Sequence, residues 1–443
     1  MHDVRKASMV QFDMAGIVEV EIVSNKTDVQ DVTIRPLSYK MNYTQQENTI
    51  QFKLNHPCKI SVEVNGERFH NLHLFANPIE KDLPEPKSDN VVEIDPGIHD
   101  PDDIIRLMTE PLSTGVVPDT VYFSEGYHLI QGSLLSIPSG KTIYLAGGSV
   151  IEGSFLCRSV RDVTIRGRGI VYMSNMEKTT YFRGVQIEFS ENITIEDIVV
   201  VDPPHYSILI GQSSKIEINN FKSFSTRGWS DGIDMMASTD INIHDVFMRN
   251  SDDCIAVYGS REDFFGDTKN VRVTNSILWA DVAHPINMGT HGDHGGVGDT
   301  IENIHFKNID ILEHHEPQEN YWGAMSINAG DMNIVKHVLF ENIRVEDFEL
   351  GQLLDLRVVF NKRYNPVPGN RIEQIQFKNI EYNGKNENPS RIYGYDSERI
   401  VDGITFTNLK INGHVITNAD SRYFDVNKHA HHITFETDTN TLN

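Results

Sequence analysis

The chain is short of several features that define protein classes. Three cysteines, Cys58, Cys157 and Cys254, occur in 443 residues. That is too few for a disulfide framework and suits a reducing compartment. No run of 18 apolar residues occurs, so no membrane-spanning helix is expected. The amino-terminal stretch MHDVRKASMVQFDMAG lacks the apolar core of a secretory leader, which makes the cytoplasm the expected location. Positive charge is scarce: 39 Lys and Arg against 63 Asp and Glu leave a net charge of −24. Such a surface argues against a nucleic-acid partner. It also repels long polyanions unless a local basic site overrides the field. Walker, Rossmann and Ser–His–Asp signatures are missing from any suitable strand–helix setting, and no cofactor is expected.

Long amphipathic helical periods are missing too, and a repeat stands in their place. VTIRG (163–167), ITIED (193–197), IEINN (216–220), INIHD (241–245), VRVTN (271–275), IHFKN (304–308), VLFEN (338–342), IQFKN (375–379) and ITFTN (404–408) share an apolar–x–apolar–x pattern. Eight of the nine close on Asn or Asp, and their first residues lie 23 to 37 positions apart. Alternation with period two marks a strand with one buried face. Asn and Asp tolerate the left-handed backbone of a tight turn. This spacing is that of a solenoid coil, so the predicted fold is all-β, a parallel β-helix over residues 91–443. Residues 1–90 lack the repeat. Their closely spaced alternating runs (VEVEIV, VTIRPL, TIQFKL, KISVEV, NLHLF) predict a small antiparallel β-sandwich, with NPIEKDLPEPKSDN as linker. PDDIIRLMTEPL is the candidate helix to cap the open end of the solenoid.

Carboxylates are costly to desolvate, yet Asp231, Asp252 and Asp253 sit against apolar strand sequence in WSDGID and SDDCIAV. Aligning Ile208, Ile233, Ile255, Ile286 and Ile327 in one column places Asp231 beside Asp253, and Asp253 beside His284, on successive coils. With coils stacked about 4.8 Å apart, three carboxylates and an imidazole then share the space of about one sugar. The acids are expected at the bend before each strand. A second column, Asp234, Asn287 and Asn328, should face outwards.

Glycosidic cleavage needs one carboxylic acid to protonate the leaving oxygen and a carboxylate to activate water, about 6.5–9.5 Å apart in inverting enzymes. Crowded like charges keep a proton available near neutral pH, and a neighbouring histidine tunes it. The competing readings are solvated turn acids or a calcium site, since stacked aspartates also bind Ca²⁺. HPINMGTHGDHGG, with His284, His291, Asp293 and His294, could suggest a metal but reads better as a glycine-rich loop beside a cleft. Trp229, Tyr206 and the Tyr321–Trp322 pair behind HHE (314–316) are candidate sugar platforms or core packing. Arg357 follows the outward column on a later coil. HAHHITF (429–435) closes the last coil.

SDGID, DDCIAV and AHPINMG, with Asp252 21 positions after Asp231, resemble glycoside hydrolase family 28, the polygalacturonase family. The resemblance implies a right-handed parallel β-helix and an inverting hydrolase. Asp252 would be the general acid, and Asp231 and Asp253 would activate water beside His284. The family's basic pair is replaced by Ser326-Ile327-Asn328. No cation would then hold a sugar carboxylate at that place, so a neutral or weakly charged α-linked oligo- or polysaccharide is the expected substrate. The amino-terminal sandwich, with TIQFKLNHPCKISVEVNG and NLHLFANPIE, and later HDVFMRNSDD and HPINMG, are also similar to the dextranase-like family 49 of the same clan. Asp234, Asn287, Asn328, Trp229, Tyr206, His291, Trp322 and Arg357 are the expected substrate contacts, and no metal is assigned. The rivals are a pectic-chain hydrolase, a β-helical lyase, for which no base stands in the column, and a non-catalytic glycan binder.

Overall fold

The computed structural model describes residues 6–113, 115–386 and 388–437. The first five residues of the stretch read for a leader lie outside them. The chain divides into two compact units, one ending at Leu83 and one beginning at Pro84.

In the first unit, alternating sequence builds two small sheets around Ile50, Phe52, Ile60 and Leu74. Strands Val18–Val23, Tyr43–Gln46 and Thr49–Leu54 form an antiparallel sheet. The other sheet contains a feature not expected from the sequence: Ser8–Met14 pairs parallel to Leu72–Pro78. Antiparallel neighbours need only a tight turn, whereas these strands are separated by most of the unit. The predicted linker also starts late, because Asn77 and Pro78 still belong to that strand.

The second unit is a right-handed parallel β-helix opened by Val91–Ile94, which pairs with Thr120–Phe123. Helix Pro101–Thr109 is the capping element. Asp100 accepts the Asp102 N–H at 2.9 Å, and Ile104 and Met108 join the solenoid core. All eight closing Asn or Asp residues have positive φ, from 49° at Asn220 to 73° at Asp197, and the ninth repeat ends on Gly167 at φ 116°. The turns are tied from coil to coil. Asn308 donates to Asn275 at 2.6 Å, Asn379 to Asn342 at 2.8 Å and Asn408 to Asn379 at 2.8 Å. Inside, Phe306, Phe340, Phe377 and Phe406 stack at 4.9–5.3 Å between centroids. Asn379→Ala removes a ladder amide and puts a side chain less tolerant of the left-handed region at φ 54°. The expected cost is about 1–2 kcal/mol, read by equilibrium denaturation.

A second face of each coil carries the short strands Val185–Glu188, Ile208–Gly211, Ile233–Met236, Ile255–Tyr258, Ile286–Met288, Met325–Ala329, Leu354–Val358 and Ser390–Tyr393, each paired in parallel to the next. Ile208, Ile233, Ile255 and Ile286 share a column as expected, but Ile327 does not. Ile286 faces Met325, and Ile327 faces Met288. Met325 fills the inward site as well as isoleucine does, so apolar alternation alone left the register open by two residues. The outward column therefore runs Leu209, Asp234, Ala256, Asn287, Ser326, Asp355 and Arg391. Asn328 belongs to the neighbouring column, beside Arg357.

Candidate active site

Asp231, Asp252 and Asp253 all precede their strands, Ile233–Met236 and Ile255–Tyr258, as the bend placement required. One oxygen of each carboxylate lies within 4.8 Å of the others, the described residues' one grouping of metal-type donors. Coil stacking enforces this crowding. The Gly232 N–H donates to the Asp253 carbonyl at 2.8 Å, and the Cys254 N–H to the His284 carbonyl at 2.8 Å. The nearest oxygens of the three acids are closer than the carboxyl separation of about 6.5–9.5 Å usual in inverting enzymes, because the acids stand on adjacent stacked coils, as the column expected.

The three carboxyls differ in environment. Asp253 is buried, which by itself would raise its pKa. The His284 charge and a set of donors nevertheless hold it below the ordinary range. The His284 ring Nδ1 (2.7 Å), the His284 backbone N–H (3.0 Å) and the Asn287 amide (2.8 Å) all donate to it. Burial would pull His284 down, but Asp253 pushes it up to about 9. With Nε2 2.7 Å from the Tyr321 carbonyl, both ring nitrogens donate, so this histidine is an imidazolium. Asp252 is half-buried, and burial together with the Asp253 charge pushes its pKa up to about 6. The Trp229 N–H, donating to it at 2.7 Å, opposes that rise. Asp231 is raised well above the usual range by burial and by the charges of Asp234, Asp252 and Asp253. The cluster thus holds one fixed carboxylate and at least one retained proton, the two states acid–base cleavage needs.

Around it, Asp234 and Asn287 lie in the outward column but are fully buried. Trp229 is half exposed and stacks on Tyr181 at 6.0 Å. Tyr206 is no open platform: it is buried against His205 at 4.0 Å, with the guanidiniums of Arg183 and Arg261 over its ring. His291 packs edge-on to Tyr258 at 5.0 Å. Trp322 donates to the Glu316 carbonyl at 3.0 Å and lies under Arg391, a packing position. In the histidine-rich loop, Asp293 accepts the Gly295 N–H, and His284 and His291 have the separate partners given above. The loop therefore supplies no second donor cluster.

Sequence reasoning missed Arg261, and it offered Tyr321 as a sugar platform or core residue, not as a hydrogen-bonding group of the site. Arg261 reaches back from the loop after Tyr258 to within 3.6 Å of Asp234. The Tyr321 hydroxyl meets the Asn287 amide and Thr290, both at 3.2 Å. The Ser326–Asn328 position is also less neutral than its residues suggest. Arg357 donates to Asn328 Oδ1 at 3.1 Å, and both Arg357 and Arg391 pair with buried Asp355.

A family model, Glycosyl hydrolases family 28, matches residues 147–431. The curated relatives include "Probable rhamnogalacturonase E" of Aspergillus oryzae, 28% identical over 240 residues, which are 50% of this chain and 51% of that protein. The chain spans about half the length of the first curated relatives it matches. Among solved structures, Dex49A from Penicillium minioluteum superposes with a TM-score of 0.61 at 15% identity, covering 97% of this chain and 83% of that one. The Yersinia enterocolitica family 28 exopolygalacturonase gives 0.55 at 12% identity, covering 88% and 85%. These two likenesses speak for the fold; the family model, matched over well more than half of the chain, carries the assignment. This chain belongs to family 28 of the glycosyl hydrolases.

Proposed function

We propose that the protein is a glycoside hydrolase that cleaves α-linked pectic oligosaccharides with inversion. The observation that carries this reading is the division of labour among three adjoining carboxyls. Asp252, the least buried, gives its proton to the glycosidic oxygen as the bond to the anomeric carbon breaks. Asp253, held ionised by His284 and Asn287, takes the proton of the water that attacks the opposite face. Asp231 holds a further proton beside them and supports the shift of Asp252. The close spacing alone would suit a retaining route. Against it, Asp253 is tied to donors on both oxygens and is a poor nucleophile.

The pectic class is supported by the rhamnogalacturonase and exopolygalacturonase relatives, and by Arg261 and Arg357, which supply the cations that Ser326 and Asn328 lack. Those two uncharged residues favour a second reading, a neutral α-glucan. A panel of oligogalacturonides, rhamnogalacturonan fragments and isomalto-oligosaccharides, followed by NMR of the anomeric proton, decides between them. Inverted product from the pectic set is expected, whereas a retained anomer or unsaturated sugars would overturn the mechanism. In the same assay kcat/KM should fall tenfold per pH unit above about pH 6, where Asp252 loses its proton. On the acid side it should fall only below the ordinary aspartate range of about 3.9, because Asp253 is depressed.

A further inference from the structure

Resting on the assignment of Asp253 as the base, we infer that His314 is a positioning residue for it. The His314 ring holds the peptide group that aims the His284 N–H at the Asp253 carboxylate. His314 is fully buried directly after strand Thr300–Glu313, in the HHE stretch (314–316).

The link runs through one peptide group. His314 Nδ1 lies 2.8 Å from the Ala283 carbonyl oxygen. The N–H of the same planar group belongs to His284 and donates to Asp253 Oδ1 at 3.0 Å. Because the group is rigid, fixing its oxygen fixes where its hydrogen points. Ala283 needs such a restraint. Its φ is 66°, in the left-handed region that a residue with a Cβ enters at a cost. Its own N–H is gripped as well, by the His315 carbonyl at 2.7 Å. Two consecutive residues thus clamp Ala283 from both sides, one by its ring and one by its backbone.

The partners also fix the state of the ring. A carbonyl faces Nδ1, which must therefore donate. The Gly323 N–H donates to Nε2 at 3.1 Å, so that nitrogen accepts. His314 is thus a neutral imidazole with its proton on Nδ1, unlike the imidazolium of His284 stacked against it at 5.8 Å. Burial and the His284 charge hold its pKa well below the usual range, in keeping with those two bonds. Space is reserved for the ring, since a Cβ on Gly351 would collide with Nε2. The result is a chain of donors: Gly323 to His314, His314 to Ala283, and the Ala283–His284 peptide to Asp253. Each bond in such a chain polarises the next. It starts in the loop whose Tyr321 carbonyl takes the other ring proton of His284.

Two substitutions separate this role from packing. His314→Asn can put an amide N–H where Nδ1 stands, which keeps the bond to Ala283. His314→Gln can put an acceptor where Nε2 stands, which keeps the bond to Gly323 and loses the other. Both remove the ring, so both should lose stability. On the cleaved oligosaccharide H314N should keep kcat within about threefold of wild type, whereas H314Q should lower it about ten- to a hundredfold with KM unchanged. Equal kcat in the two variants, high or low, would overturn the inference. Proton NMR gives a readout that needs no substrate. The His284 Nδ1 proton, shared with Asp253, should keep its downfield resonance in H314N and move in H314Q; one common position in both variants would count equally against the clamp. If the wild type cleaves nothing, the proposed function fails, and this spectrum still judges His314. If H314Q does not fold, spectra of the wild type labelled with ¹⁵N-histidine decide. A protonated Nδ1 and a bare Nε2 are expected for His314, and an imidazolium or the other tautomer would refute the assignment.

Discussion

Asp252→Asn should lower kcat on the cleaved oligosaccharide by about 10²–10⁴-fold, with KM nearly unchanged. The amide keeps the volume of the carboxyl and one of its acceptors, so the backbone donors at Trp229 and Asp253 lose at most one of their two bonds. What disappears is the proton. Asparagine has none to give at any accessible pH, so the variant should also lose the decline of activity above about pH 6. A variant that kept its rate, or its pH profile, would remove Asp252 from the acid role. Circular dichroism and an unchanged melting transition would show that the coil remains stacked.

His284→Ala should be the most destabilising change in the site, by about 3–5 kcal/mol, because it leaves a buried carboxylate without its cation. The loss depends on pH in a defined way. In the native protein Asp253 has a depressed pKa, so its contribution is present above the ordinary aspartate value and lost as pH falls. His284 is raised to about 9, so its contribution is complete below its ordinary value of about 6.5 and fades as pH rises through 9. The gap between wild type and variant should therefore be widest near pH 5–6.5 and narrow on both sides. Denaturation at pH 3.5, 6 and 9.5 measures it. A gap independent of pH would mean that the ring acts by packing against Tyr321 and His314 rather than by charge.

Some of this was legible in the linear sequence and some was not. The coils could be read because each turn needs a residue that tolerates positive φ, and Asn or Asp recurs there with period-two alternation before it. The acids could be read because Asp231, Asp252 and Asp253 precede strands whose isoleucines align. Beyond Ile286 the register slipped, since Met325 and Ile327 are equally good inward residues. The expectation of a neutral substrate rested on Ser326 and Asn328 alone. Arg261 and Arg357 come from a loop and a later coil, and their side chains cross between repeats in directions no local pattern encodes. Nor does a local pattern show that Tyr206 lies under Arg261 instead of open to a sugar.

No single turn of the solenoid owns the acidic cluster. Asp231, the Asp252–Asp253 pair and His284 are contributed by three consecutive turns and meet only because each is hydrogen-bonded to the next. In a solenoid, stability is a chain of nearest-neighbour terms. Inserting one extra turn between Ile255–Tyr258 and Ile286–Met288 would keep every residue of the cluster and every local fold, yet strand His284 one storey away from its carboxylate. The same insertion after Ala430–Glu436 would merely lengthen the rod. Chemistry in this molecule is a matter of which storeys adjoin.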